Sequence, residues 1–399
     1  MSNTTTTTTS KTSILSDALL ARCHERAPIY DRENRFFFED FEELRNAGYL
    51  IMAVPTELGG GGLTLAEVSR EQRRLAYHAP ATALALNMHN YWIGIAADLW
   101  RGGDKSMEWV LKAAAQGEVF AAGHAESGND VPLIYSTTKA ERVDGGYRFT
   151  GHKSFGSLTP VWTYLGLHGM EAGANGTGGA QIIHAFVPRT SSGFTVKETW
   201  DTLGMRATRS DDTILDGVFV PDQYIVRVLP AGFAGADMFI VTLYAWVLLG
   251  FGNIYYGLAR RALDLTLDSV KRKTSLGMSR TMDYHAGVQF AISDMVMELE
   301  TIEPLLERTA QDWSNGVAHP DWLVKLITTK YKAVEGAWRV VDTAFELSGG
   351  FGIFKKNELE RLFRDARLGR LHPANSLLSR ELVGKLALGI NLDATPRWG

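Results

Sequence analysis

Hydrophobic positions along the chain change period twice, and the two changes divide it into three regions. Over residues 14–50 apolar residues recur at helical spacing with interruptions. Val54-Pro55 then leads into the flexible run Gly59-Gly60-Gly61-Gly62. Thr64 followed by Glu67 has capping-box spacing and predicts a helix from residue 64 or 65 to about His78. Past Pro80, residues 81–99 form an apolar, small-residue-rich helix with His89, Asn90, Tyr91 and Trp92 in its middle, and a short helix follows over 106–116. At Gly117 the period falls to two, and turn residues recur as far as Val220. Residues 140–143 and 147–150 flank Asp144-Gly145-Gly146, a hairpin signal, and 162–167, 181–187 and 213–220 read as further strands. From Gly232 the helical period returns. Val288, Ile292, Met295, Leu299 and Ile302 form one stripe, and Ile327, Tyr331, Val334, Trp338, Val341 and Phe345 another. With 239–270 and the segment after Ala374 they predict a four-helix bundle.

The expected fold class is therefore α+β and multidomain: a disordered tail (1–13), an N-terminal helical domain (14–117), a central β-barrel-like domain (118–228) and a C-terminal four-helix bundle (229–399). A length of 399 residues is more than one core usually serves. The tail is threonine-rich and polar with no apolar core, unlike a secretory leader. Residues 239–259 carry no formal charge and are long enough to cross a bilayer. They include Thr242, Gly250, Gly252 and Asn253, however, and Arg260-Arg261 continue the pattern, so the segment reads as a buried bundle helix and no membrane association is expected.

A net charge of −4 and the lack of a long basic run argue against nucleic acid as a partner. A single cysteine, Cys23, excludes an internal disulfide framework and a cysteine-rich metal site, and fits a reducing, cytoplasmic setting. His24, His78, His124, His152, His168, His184, His285 and His319 show no metal-ligand spacing, and no metal is expected. The glycine-rich stretch 173–179 carries no obvious chemistry.

Candidate chemistry concentrates in residues 346–378. A helical pattern breaks at Gly349-Gly350, a third glycine follows at Gly352, then come Arg364-Asp365-Ala366-Arg367 and His372-Pro373. The glycine pair reads either as a helix stop with a loop or as bare backbone whose amides meet a phosphate.

Six motifs in order resemble the acyl-CoA dehydrogenase superfamily over roughly residues 15–395. Ala125-Glu126-Ser127-Gly128-Asn129-Asp130 resembles a shortened form of its Thr-Glu-Pro-Gly-Ala-Gly-Ser-Asp flavin loop. Residues 147–157, from Tyr147 to Ser157, look like its next strand and loop, and Leu203-Gly204-Met205-Arg206-Ala207-Thr208 with Val218-Phe219-Val220-Pro221 like its closing strands. Arg272-Lys273-Thr274 resembles a segment whose arginine reaches a neighbouring subunit's flavin diphosphate. Residues 346–352 look like Gln-x-x-Gly-Gly-x-Gly, and Arg364-Asp365-Ala366 like the helix start that follows it. The resemblance implies a flavin (FMN or FAD) held by Glu126, Ser127, Phe155, Ser157, Arg272, Gly349, Gly350 and Gly352, in a homotetramer with sites shared between subunits. Ser157 would stand near the ring's N5.

A dehydrogenase of this family needs a carboxylate to take the substrate's α-proton. One family position for it, after Arg-Asp-Ala, holds Pro373 here, and the other falls in residues 238–261, where no Asp or Glu occurs. Histidines stand nearby instead. This is similar to the flavin-dependent monooxygenase branch, dibenzothiophene-monooxygenase-like, in which two histidines and a serine surround the flavin. Matched residue by residue, they are His89, Ser157 and His372. The branch implies a C4a-hydroperoxyflavin formed with molecular oxygen from externally reduced flavin. An imidazole donor suits that chemistry where a carboxylate would repel it. Trp92, Phe155, Tyr244 and Trp246 are expected to keep the pocket dry, and the substrate to be small and apolar or aromatic. His89 also reads as a core histidine, and His372 as a helix-end residue before a turn. No nicotinamide fingerprint occurs, so a separate NAD(P)H:flavin reductase is the expected partner. Two other readings stay open: an acyl-CoA dehydrogenase with a relocated base, and a catalytically inactive flavin-binding partner subunit.

Overall fold

In a computed structural model, residues 13–173 and 179–397 are described. Residues 1–12 of the expected tail (1–13) and the middle of the glycine-rich stretch, 174–178, lie outside the described residues. Helices α1 (Asp17–Glu33), α2 (Phe38–Asn46), α3 (Leu65–His78), α4 (Pro80–Arg101) and α5 (Glu108–Ala115) come first. Thr64 and Glu67 do form a reciprocal capping box at the start of α3.

Strands β1 (Phe120–Gly123), β2 (Lys139–Val143), β3 (Gly146–Gly156), β4 (Tyr164–Glu171), β5 (Gln181–Pro188), β6 (Phe194–Lys197), β7 (Asp211–Pro221) and β8 (Ile225–Pro230) build one sheet. Its order is β6-β7-β3-β2-β4-β5-β8, with β1 added parallel to β4; the path is open, ending at β6 and β8. The β2–β3 hairpin closes with Val143 opposite Gly146. Between β3 and β7 the register slips twice, the second time between Lys153 and Gly156. Such irregularities re-aim the side chains that follow, and here they precede Ser157.

The chain returns to helix in α6 (Met238–Val270), α7 (Ala286–Ser314), α8 (Trp322–Ser348), α9 (Glu358–Leu368) and α10 (Ser376–Leu388). Asp237 caps α6, accepting from the amides of Phe239 (2.9 Å) and Ile240 (3.3 Å). α6 is the central rod, touching α3, α4, α7, α8 and α9. It is the one described helix apolar and long enough to cross a membrane, and 83% of its most apolar window is buried inside the protein, as expected of a bundle core.

Asp98 of α4 ties α4 to both α6 and α7, accepting from the indole N–H of Trp246 (2.7 Å) and of Trp313 (2.9 Å). Gly94, one turn earlier, leaves room for the Trp246 ring, which an added Cβ would penetrate. Gly94→Ala is therefore expected to cost about 1–3 kcal/mol by overpacking, read as a lower thermal midpoint. An unchanged midpoint would show that α4 and α6 can separate freely.

Candidate active site

Left-handed backbone gathers around Ser157. Phe155 (φ 57°) and Leu158 (φ 68°) face Met205 (φ 52°) and Arg209 (φ 43°), four non-glycine residues in left-handed conformation. Each costs roughly 1–3 kcal/mol and persists only where its surroundings hold it. Here Leu158 N–H donates to the Thr208 carbonyl (3.3 Å) and Thr159 N–H to that of Arg209 (3.4 Å). The Arg209 guanidinium holds both oxygens of Asp211 (3.0 Å each). The result leaves the Phe155 ring 62% exposed, edge-on to Trp200 at 6.0 Å.

The Ser157 hydroxyl lies in a chain: Ser157 Oγ to Ser210 Oγ (2.7 Å), to Thr208 Oγ1 (2.7 Å), to the Met205 carbonyl (2.9 Å). A carbonyl only accepts, so Thr208 donates to it, Ser210 to Thr208 and Ser157 to Ser210. Ser157 Oγ is left with lone pairs to offer, suited to an N–H donor.

Glu126 organises the loop between β1 and β2. Its carboxylate accepts from Ser136 Oγ (2.6 Å), the amides of Thr137 (2.8 Å) and Thr138 (3.0 Å), Asn129 Nδ2 (2.9 Å) and Lys153 Nζ (2.5 Å). Burial raises its pKa, but Lys153 and the hydroxyl and amide donors outweigh that and hold it at about 2. Burial in turn pulls Lys153 down to about 8 against the attraction of Glu126, so the pair is charged at neutral pH. All acceptors of the Glu126 carboxylate are used inside the protein, so the side chain holds the loop and only the backbone of Glu126 is left for a cofactor. Ser127, next to it, is exposed.

The expectation for His89 is corrected. It is fully buried, with Nε2 donating to the Leu50 carbonyl (2.8 Å) and Nδ1 accepting from the Phe120 amide (3.1 Å). Both nitrogens are spent clamping α4 to β1 and to the turn after α2, so the ring has none for a ligand. The tryptophans expected in the pocket are likewise structural: Trp92 donates to the Ala121 carbonyl (3.1 Å) and Trp246 to Asp98.

His372 is half-buried in the turn after α9, stacked on Phe251 (centroids 4.6 Å apart, 14° between planes). Its Nε2 meets the Tyr255 hydroxyl at 2.8 Å. Burial raises the Tyr255 pKa, while burial and Lys330 lower that of His372, so both are neutral. Tyr255 has no other hydrogen-bond partner among the described residues; its proton therefore goes to Nε2, and the network assigns the His372 proton to Nδ1. That N–H makes no hydrogen bond among the described residues and is free to donate. Lys330 Nζ pins the turn, donating to the carbonyls of His372 (2.9 Å) and Ala374 (2.7 Å).

Arg272 and the glycine loop lie together at the surface. Lys273 Nζ donates to the Ser348 carbonyl (2.8 Å), next to Gly349 and Gly350. Nothing lies within 4 Å of an added Cβ at either glycine, and Gly349 (φ 64°, ψ −163°) occupies backbone space that only glycine enters readily. Gly352 is buried against Ser348. Arg272 is exposed, and its side chain makes no ion pair or hydrogen bond among the described residues.

Carboxylates near the His372 turn are committed elsewhere. Asp365, raised to about 6 by burial, accepts from the Met205 amide (2.5 Å), and Glu335 holds Arg370 (3.0 Å) and Ser376. No group of three or more His, Cys, Asp or Glu among the described residues could hold a metal.

Sequence reasoning missed Lys153, Lys330, Tyr255, Ser210 and Thr208. Only Lys153 left a signal, standing in step with the buried Tyr147 and Phe149 on the inward face of β3. Tyr255, Lys330 and Ser210 meet their partners across the fold, and Thr208 serves the site only through Ser210.

The residues fit a flavin: a bare glycine turn beside a free guanidinium for phosphates, an acceptor at Ser157, a donor at His372, and an exposed Phe155 ring. Removing the cation beneath the Glu126 loop, Lys153→Met, is expected to cost about 3–5 kcal/mol by stranding a buried carboxylate. Glu126→Gln in the same chain should recover part of the loss. Denaturant unfolding measures both, and full stability of the single variant would disprove the loop's dependence on this pair.

Comparison with known proteins bears on the family and the fold. The family described as "Acyl-CoA dehydrogenase, N-terminal domain" matches residues 16–118, and "Acyl-CoA dehydrogenase, C-terminal domain" matches 249–377. The amino sugar nitrososynthase DnmZ of Streptomyces peucetius is 30% identical over 381 residues, covering 90% of this chain and 88% of its own. An acyl-CoA dehydrogenase of Bacillus subtilis is 23% identical over 372 residues, 91% of this chain and 93% of its own. The structure of KijD3 in complex with FMN and dTDP-3-amino-2,3,6-trideoxy-4-keto-3-methyl-D-glucose superimposes with a TM-score of 0.82 at 24% identity, covering 95% of this chain and 93% of that one. With its helical, sheet and helical regions in this order, the chain belongs to the acyl-CoA dehydrogenase superfamily and is a flavin-dependent oxidoreductase.

Proposed function

We propose that the protein is a cytoplasmic monooxygenase that takes reduced flavin from a separate NAD(P)H:flavin reductase and uses molecular oxygen. The observation that carries this reading is the chemistry of the His372 turn. A family base position is occupied by Pro373, residues 238–261 hold no acid, and a neutral imidazole with an uncommitted N–H stands there instead. When bound, reduced flavin supplies the electrons that activate oxygen. The chain's own residues do the rest. Ser157 would offer lone pairs to a ring N–H, an arrangement that would favour reduced flavin. His372 would donate to an oxygen atom held near the ring without carrying charge; Tyr255 fixes its tautomer, and Lys330 fixes the turn that carries it. Arg272 and Gly349–Gly350, on an exposed loop with Phe351 and Ile353, would hold the diphosphate across a subunit boundary of a homotetramer.

DnmZ is by name an amino sugar nitrososynthase, and KijD3 was solved with an amino sugar nucleotide. Amines therefore join small apolar and aromatic molecules as the substrates to screen. The similarity to acyl-CoA dehydrogenases favours a second reading, desaturation of an acyl thioester with a base from elsewhere in the assembly.

The test is coupling. With reduced flavin, oxygen and an accepted substrate, His372→Ala is expected to release roughly ten times more hydrogen peroxide per flavin oxidised, the loss of one positioned donor. Unchanged coupling removes His372 from the reaction. Arg272→Ala is expected to weaken flavin binding by roughly ten-fold, measured by fluorescence titration, with the fold intact. Unaltered affinity would refute the phosphate contact.

A further inference from the structure

A second polar site lies between α1 and the start of α9, on side chains that the flavin reading does not use. A cavity of about 100 Å³ opens there, lined by Arg32, Lys355, Lys356 and Arg361 and by two carboxylates, Asp31 and Glu358. That is room for about three waters or one tetrahedral oxyanion.

Both carboxylates are already engaged by arginines from other elements. Asp31 accepts from Arg364 (3.0 and 2.6 Å), and Glu358 from Arg261 (3.0 and 2.7 Å). The cations are not matched in this way. The side chains of Arg32 and Lys355 make no ion pair or hydrogen bond among the described residues, and that of Lys356 only overlies the Phe354 ring at 5.8 Å.

Arg361 is the anomaly. It is 5% exposed, and its Nε is buried with no hydrogen-bond partner. Its nearest carboxylates stand beyond hydrogen-bonding distance, Glu358 at 3.6 Å and Asp365 at 4.0 Å. Burying a charged N–H donor such as this Nε without an acceptor costs several kcal/mol. The N-terminal end of the eleven-residue helix α9 adds its positive dipole beside them.

We propose that this cavity binds a phosphate-class oxyanion, with Arg361 as the buried contact and Arg32, Lys355 and Lys356 closing over it. The anion is either free inorganic phosphate or the terminal phosphate of a nucleotide-like molecule.

The test uses the full flavin-loaded chain at constant ionic strength, with thermal melting and calorimetric titration against inorganic phosphate, adenosine monophosphate and a chloride control. Phosphate is expected to raise the melting midpoint where chloride does not. Arg361→Met should abolish the rise. The Lys355→Gln/Lys356→Gln double variant should weaken phosphate binding by roughly ten-fold while leaving flavin affinity unchanged. Because both lysines are on the surface, that variant keeps the test valid if Arg361→Met fails to fold. Binding of inorganic phosphate alone assigns a free anion; tighter binding of the monophosphate assigns a terminal phosphate. Equal response to phosphate and chloride, or an undiminished response in the double variant, overturns the proposal. It would leave Arg361 served by water alone, which the adjoining cavity of about 10 Å³ beside Tyr30 and Asp365 could hold.

Discussion

The structure depends on how α9 locks the sheet region to the helices. Asp365 accepts the Met205 amide, and Arg364 spans Asp31 of α1 and the Leu203 carbonyl (2.9 Å). Gly204 lies so close to the Arg364–Asp365 backbone that a Cβ there would meet it at 2.7 Å. Buried charges are tolerated only when paired, so this joint is specific in position and costly to break. Most of the candidate catalytic and phosphate-binding groups hang from it. The glycine loop precedes α9, His372 follows it, and the Met205–Ser210 segment that polarises Ser157 is docked against it. Two strained loops and one short helix thus hold the site, and the long bundle helices serve as its foundation.

Much of the fold was legible in the chain because it rests on local periodicity. The switch at Gly117, the Thr64–Glu67 box, the Asp144-Gly145 turn and the uncharged core helix each follow from spacing alone. The short strands β1, β6 and β8 were not foreseen, since four to six residues carry too little alternation to register. At the site, the glycine loop, Ser157 and His372 were visible through motifs. Their partners were not: Tyr255 lies 117 positions from His372 and Ser210 lies 53 from Ser157. His89 shows the converse. A histidine in an apolar helix beside an aromatic pair resembles a site residue until both nitrogens are traced to backbone atoms. Glu126 is similar, since its place in the motif reflects the loop it organises.

Within this superfamily the same scaffold serves proteins named as dehydrogenases and proteins named as nitrososynthases, and overall identity to either is low. The distinction therefore rests on single groups beside the ring. A carboxylate there can remove a proton from carbon; a neutral imidazole with its N–H directed outward stabilises a developing oxygen anion instead. Tyr255 matters because it decides which of the two His372 nitrogens carries the proton, and Lys330 because it holds the backbone of the turn that presents the ring.

The most direct measurement is anaerobic. Protein loaded with oxidised flavin is titrated with short-, medium- and long-chain acyl-CoA thioesters while the flavin absorbance is followed. With no acid free beside the ring, the absorbance should persist with every thioester. Rapid bleaching by any of them would show that a base is present and would contradict the monooxygenase assignment.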